Sequence, residues 1–230
     1  MGRAQKLKQQ RKEEEKKRQE EERKKVYRNI FVVVVCIVAI GATVALVLLA
    51  NILKKEKVTV REMVLETSKG EIVIEMLGDD APMTVDHIAG LVEEGFYDDI
   101  LWYRIEDFVV QTGSHVQSLL AQQGEEELDQ DLLNQALTED QEVGVVLDEI
   151  SASNVRGAVG MAKPSDEETG EPTPNSATSE FYILKQDVLG LDTYFTVFGN
   201  VVRGMEVVDS LEDTDLLIKA EIREVERDKE

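Results

Sequence analysis

Residues 102–113 read WYRIEDFVVQTG, from Trp102 to Gly113. One arginine stands among aromatic and β-branched residues, and the run ends in a glutamine before a glycine. Residues of these types favour strands, so the stretch predicts a strand pair lining a pocket, with Arg104 half-buried in it. Burying a guanidinium is costly unless the charge is paired or put to use. Arg104 is therefore the first candidate for a functional residue.

Working outward, all ten Phe, Tyr and Trp residues beyond residue 58 fall in two windows, 96–108 and 181–198. A small barrel brings two such windows together as one aromatic wall. Aromatic residues also fill ordinary cores, but a pure core has no use for a guanidinium, and Arg104 tips the reading toward a pocket.

Charge is divided unevenly along the chain. Residues 1–28 carry 12 Lys/Arg against 6 Asp/Glu, a net of about +6, whereas residues 58–230 carry 11 against 40, a net of about −29. So acidic a region argues against nucleic-acid binding, which rests on neutralising phosphates. The only cysteine, Cys36, lies in an apolar stretch, so no intramolecular disulfide forms and thiol catalysis is excluded from the folded region. His87 and His115 are the only histidines, with no zinc-like spacing, and His87 reads as a surface or capping residue.

The first 28 residues alternate basic and acidic blocks and predict a solvated helix or disordered arm. Ile30–Leu53 holds 24 residues without a charge, which as a helix is about 36 Å long against roughly 30 Å of hydrocarbon. A transmembrane helix over 29–53 follows, uncleaved because the run exceeds a usual signal-peptide core and lacks a small-residue exit. The basic excess before it places the amino terminus in the cytoplasm and the rest outside. Residues 54–59 read as a linker.

The folded region opens with a β-hairpin, VTVREMVLETS and EIVIEML around Lys69-Gly70. A helix beginning at Thr84 carries Val85, Ile88, Leu91 and Val92 on one face and Gly95 as its cap. Residues 116–142 predict one or two amphipathic helices around Gly124, with leucines including Leu128, as an acidic excursion from the sheet. GVVLDEI (144–150) is expected to return to the sheet and RGAVGMA to form a strand, and 163–179 forms a loop holding three of the four prolines. The strand SEFYILK, the turn VLGLDTY, the strand FTVFGNVV, the helix GMEVVDSLE and the strand LIKAEIREVE complete the chain. Many short strands with two framing helices imply a closed or nearly closed antiparallel barrel.

No Ser-His-Asp set, paired-carboxylate cleft, P-loop or dinucleotide fingerprint is present, and the pairs Asp79-Asp80 and Asp98-Asp99 read as turn residues. The ordered series LETSKGEIVIEML, DDAPMTVDHIAGLVEEGFYDD, WYRIEDFVVQTG, RGAVGMA, NSATSEFYIL and LDTYFTVFGNVVRGMEVVD resembles the cyclophilin-type peptidyl-prolyl cis-trans isomerases over residues 60–228. That resemblance implies an eight-stranded antiparallel barrel capped by two helices, with a groove on its outer face that isomerises X-Pro bonds without a cofactor. Its partners would be proline-containing polypeptides, here extracytoplasmic ones whose folding it assists, and not nucleic acid.

By the same resemblance, Arg104 is the catalytic arginine, Phe108 and Val109 line the proline pocket, and Gln111 is the motif glutamine. Ala162, Lys163, Glu180, Tyr182, Leu191 and Phe195 fall at further groove positions. Several depart from the family pattern: Glu106-Asp107 replaces a Pro-Gly turn, Glu180 a glutamine, Lys163 an asparagine, Gly190 a frequent tryptophan, and Phe195 a histidine or tyrosine. Tyr182 adds a hydroxyl to a usual phenylalanine. Glu180 is expected to pair with Arg104. The rival readings are a catalytically weak or inactive module that binds proline-containing segments and a structural envelope protein using the excursion as a partner surface.

Overall fold

The computed structural model describes residues 3–53, 57–123 and 129–228. Gly124, the expected pivot of the excursion, Leu128, and residues 54–56 of the expected linker lie outside the described residues. The chain divides into two compact units, one holding helix α1 (Arg3–Leu53) and the other spanning Val58–Arg227.

The charged arm and the apolar run form one continuous helix, α1, rather than two segments. Within it, Lys16–Leu49 is long and apolar enough to cross a membrane by length and composition. Its valines, leucines and isoleucines from Ile30 to Leu49 are exposed.

The second unit is built on a curled antiparallel sheet. Strands β1 (Lys57–Thr67) and β2 (Gly70–Met76) make the expected hairpin, whose Thr67 Oγ accepts from the N–H groups of Lys69 and Gly70. The remaining strands are β3 (Ile100–Leu101), β4 (Arg104–Ile105), β5 (Val109–Thr112), β6 (Ala158–Met161), β7 (Phe181–Leu184), β8 (Val197–Arg203) and β9 (Leu216–Asp228). Their order is β3-β9-β1-β2-β8-β6-β7-β5-β4, nine strands among the described residues where eight were expected. The difference has a simple origin. β3 pairs with β9 at one edge and β4 with β5 at the other, yet only Trp102 and Tyr103 separate them. One interrupted strand thus joins both edges of the sheet and curls it back on itself.

Helix α2 (Pro82–Glu93) starts two residues before the expected Thr84, with proline pre-set for the first turn. Its free N–H groups at Met83 and Thr84 are taken by the Glu149 carboxylate, 3.1 and 2.8 Å away. At its other end Gly95 adopts φ +75°, and Phe96 and Gly95 donate to Leu91 and Val92, a Schellman closure. Helix α5 (Met205–Ser210) is the second framing helix.

The excursion forms α3 (His115–Gln123) and α4 (Gln130–Glu142). Asp140 of α4 caps α3 through the N–H groups of His115 and Val116, and Ser118 of α3 accepts from the Leu101 N–H of β3. Residues 144–150 do not form the expected strand; Val146 makes only an isolated bridge to Ala177. The carboxylates of this segment serve elsewhere, Glu149 at α2 and Asp148 at Lys163.

Strands β6 and β7 are buried on both faces. Alternate side chains of a strand point to opposite sides, so Phe181 and Ile183 join the main core with Trp102, Met161, Val159 and Phe198. Tyr182 and Leu184 point the other way, into a second apolar cluster with Val109, Ala158, Ala162 and Val197. That cluster is packed by Phe108, Leu191 and Phe195 and floors an outer groove.

Candidate active site

A groove of about 810 Å³ runs over the outer face of β4, β5 and β7 and reaches Ala162, just past β6. Its lining includes all ten residues singled out from the sequence: Arg104, Phe108, Val109, Gln111, Ala162, Lys163, Glu180, Tyr182, Leu191 and Phe195. Register explains the convergence. Arg104 faces Gln111, Gln111 faces Tyr182, and Tyr182 faces Gly160, one row across four strands.

Two glycines make the row possible. A Cβ on Gly160 would stand 2.3 Å from the Tyr182 ring, so glycine there lets the ring lie flat over β6. Gly113, at φ +103°, lets the backbone of Ser179-Glu180 approach β5; a Cβ would meet the Ser179 carbonyl at 2.6 Å.

Arg104 is exposed rather than half-buried, because its two-residue strand lies at the edge of the sheet. It is nonetheless fixed. Its Nε donates to Glu106 at 2.7 Å, its Nη1 to Gln111 Oε1 at 3.1 Å, and the guanidinium carbon sits 5.9 Å from the centre of the Phe108 ring. A guanidinium has five N–H donors, so two are held and the others remain for a ligand, counting hydrogen bonds among the described residues. The Glu106-Asp107 turn thus supplies the carboxylate that aims the arginine.

Glu180 does not pair with Arg104 directly. Its Oε2 accepts from Gln111 Nε2 at 2.8 Å and from the Tyr103 hydroxyl at 2.6 Å, so Gln111 stands between the two charges. Burial, followed by the Glu180 charge and hydrogen bond, pushes the Tyr103 phenol far above its ordinary value and keeps it a donor.

At the other end, the Tyr182 hydroxyl donates to Asn154 Oδ1 at 2.6 Å, and Asn154 donates through N and Nδ2 to Asp192 Oδ1. This ties the floor to the turn Leu189–Leu191 that carries Leu191. The Asn154 contacts hold the Asp192 carboxyl below its usual value, while burial and then the Asp192 charge raise the Tyr182 phenol. Lys163 lines the groove, but its side chain is 3% exposed and its ammonium lies 2.7 Å from Asp148 and 5.5 Å from the centre of the Phe195 ring.

Sequence reasoning missed several lining residues. Tyr103 could have been found as the aromatic neighbour of Arg104. Gln117 of α3 and Ser176, Thr178, Pro164 and Ser165 of the 163–179 loop carried no local signal. His87 Nε2 donates to the Thr178 carbonyl at 2.7 Å, so it fastens this rim to α2.

A model of the cyclophilin type peptidyl-prolyl cis-trans isomerase family matches residues 62–227. The chain belongs to this family. Curated relatives of this cyclophilin-type chain include a peptidyl-prolyl cis-trans isomerase of Arabidopsis thaliana, 30% identical over 65% of this chain and 79% of the relative. A probable peptidyl-prolyl cis-trans isomerase of Brucella suis is 31% identical over 65% and 70%. Among solved structures, a cyclophilin from Hirschia baltica shares the fold at a TM-score of 0.53, with 19% identity over 69% of this chain and 72% of that one. A Cryptosporidium parvum cyclophilin-type isomerase, solved in the presence of the dipeptide Ala-Pro, matches at 0.51, with 17% identity over 70% and 98%. These matches give the cyclophilin-type fold, and the groove geometry is read from this chain's own residues.

Proposed function

We propose that this groove isomerises X-Pro bonds, with Arg104 as the catalytic residue. Amide resonance sets a barrier of roughly 18–20 kcal/mol to rotation, and uncatalysed isomerisation takes tens to hundreds of seconds. A guanidinium N–H donated to the prolyl nitrogen draws its lone pair out of conjugation, which favours the twisted amide over the planar one. Phe108, Val109, Leu191, Phe195 and Tyr182 form the apolar hollow for the proline ring. Gln111 and neighbouring polar groups hold the flanking chain. No covalent step is needed, and lowering the barrier by about 4–7 kcal/mol accelerates rotation about 10³–10⁵-fold.

The single observation carrying this reading is the arginine itself, held by Glu106 and Gln111 over the Phe108 ring with donors to spare. A protease-coupled prolyl-peptide assay of the full-length chain in detergent tests it, with Arg104→Ala expected to abolish turnover.

The division into a charged arm (1–28), a membrane span (29–53), a linker (54–59) and the isomerase domain (60–228) belongs to the same proposal. The exposed apolar side chains of α1 from Ile30 to Leu49 support a lipid environment, and the 12 basic residues preceding the span support a cytoplasmic amino terminus. The isomerase domain would then meet extracytoplasmic polypeptides and assist their folding. Partial protease digestion of intact and opened vesicles tests the orientation.

A further inference from the structure

We propose that Glu180 makes the groove selective for proline segments bearing a lysine or arginine within about two residues of the proline. The inference rests on the isomerase reading and specifies its substrate. Glu180 is half-buried in the groove lining, and its two described partners, the Gln111 amide and the Tyr103 hydroxyl, are neutral donors on the same oxygen, Oε2. Neither neutralises the carboxylate. The nearby cations are committed: Arg104 to Glu106 and Gln111, and Lys163 to Asp148. A carboxylate taken partly out of water and without a cation favours a cationic ligand group.

The spacing fixes where that group falls. Glu180 precedes Tyr182 by two positions along the chain leading into β7, which is about 7 Å in extended geometry, the reach of about two residues of an extended substrate. The Tyr182 ring marks the proline hollow, so the selective position lies about two residues from the proline. The field of the whole domain acts in the same direction, since residues 58–230 carry a net charge of about −29 and would concentrate cationic segments.

The test compares kcat/KM of the full-length chain in detergent for peptide pairs differing only by Lys or Gln at each position within three residues of the proline. The expected result is a lysine preference of about fivefold or more, confined to one position and weakened by salt. In Glu180→Gln the Lys/Gln ratio at that position falls to within about twofold, a ratio that a general loss of activity does not move. Where the variant turns over too slowly, the same ratio is read from peptide Kd. A wild-type chain indifferent to lysine, or a preference that survives Glu180→Gln, overturns the inference while leaving the isomerase reading intact. Absence of turnover on every peptide overturns the isomerase reading, and the Kd ratio still decides the role of Glu180.

Discussion

Gln111 joins Arg104 to Glu180 through the two ends of one amide, with Oε1 3.1 Å from the guanidinium and Nε2 2.8 Å from the carboxylate. An arginine only donates and a carboxylate only accepts, so the two charges fix the amide's orientation between them. The arginine is thereby held on one side by Glu106 and on the other by a glutamine that cannot flip. In this way an exposed side chain on a two-residue edge strand acquires a defined aim.

Glu106→Ala tests that aim. The Arg104–Glu106 pair is 46% and 43% exposed, and such surface pairs contribute about 0–1 kcal/mol to stability. Thermal or urea unfolding should therefore change little. If the pair aims the guanidinium, kcat falls about three- to tenfold, the effect of a small misplacement at the reacting centre. Unfolding and steady-state kinetics on the same preparation separate the two.

Gly160→Ala tests the floor. The added methyl would meet the Tyr182 ring at 2.3 Å, and that ring is tied at its hydroxyl to Asn154. Overpacking of this kind costs about 1–3 kcal/mol. Since the tyrosine must swing off β6, the substrate hollow changes shape and KM rises. A denaturation midpoint and KM that both match the wild type would show that the ring is free to move.

Lys163 and Asp148 give unequal expectations for two ends of one ion pair. Asp148→Ala leaves the nearly buried ammonium uncompensated and costs about 3–5 kcal/mol, whereas Lys163→Met leaves a carboxylate that is 18% exposed and still accepts from the Asn175 N–H, and costs less. Urea unfolding of both variants and of Asp148→Ala/Lys163→Met checks this, with the double variant more stable than Asp148→Ala alone.

Asn154 links acid stability to the groove. It holds the Asp192 carboxyl below the ordinary value of 3.8. A depressed carboxyl binds fewer protons in the folded than in the unfolded state, so its stabilisation is present above pH 3.8 and is lost as pH falls through the depressed value. Asn154→Ala removes the Nδ2 donor but keeps the backbone N–H, the larger cause, so it flattens this part of the stability–pH curve only in part. It also leaves the buried Tyr182 hydroxyl unpartnered, a pH-independent loss of about 1–3 kcal/mol. Unfolding midpoints measured from pH 2 to 7 resolve the two effects.

How much of this was legible in the sequence follows from what kind of order each feature needs. The hairpin, the helix face of Val85, Ile88, Leu91 and Val92, and the strands on either side of the groove are written in local periodicity, and all appear. The ten groove residues converge because a family pattern carries register implicitly, and the Arg104–Gln111–Tyr182 row is that register. Ties between distant carboxylates and single N–H groups leave no periodic trace. Hence Glu149 capping α2 was invisible, residues 144–150 looked like a strand, and Asn154 drew no notice. Arg104 is more exposed than its apolar neighbours imply, because alternation says which face a residue occupies but not that its strand lies at an edge. Glu180 and Arg104 both line the groove but do not form the expected pair, because Gln111 stands between them, a matter of ångströms that charge complementarity alone does not reveal.

The most direct measurement is exchange NMR on an X-Pro peptide with catalytic amounts of the full-length chain, comparing the wild type with Arg104→Lys and Arg104→Ala. Wild type should accelerate cis-to-trans and trans-to-cis rotation by the same factor, leaving the cis fraction unchanged. Lysine, lacking the fork held by Glu106 and Gln111, should lose most of that acceleration and alanine nearly all of it. Equal exchange rates in all three proteins would contradict the assignment of catalysis to the guanidinium over Phe108.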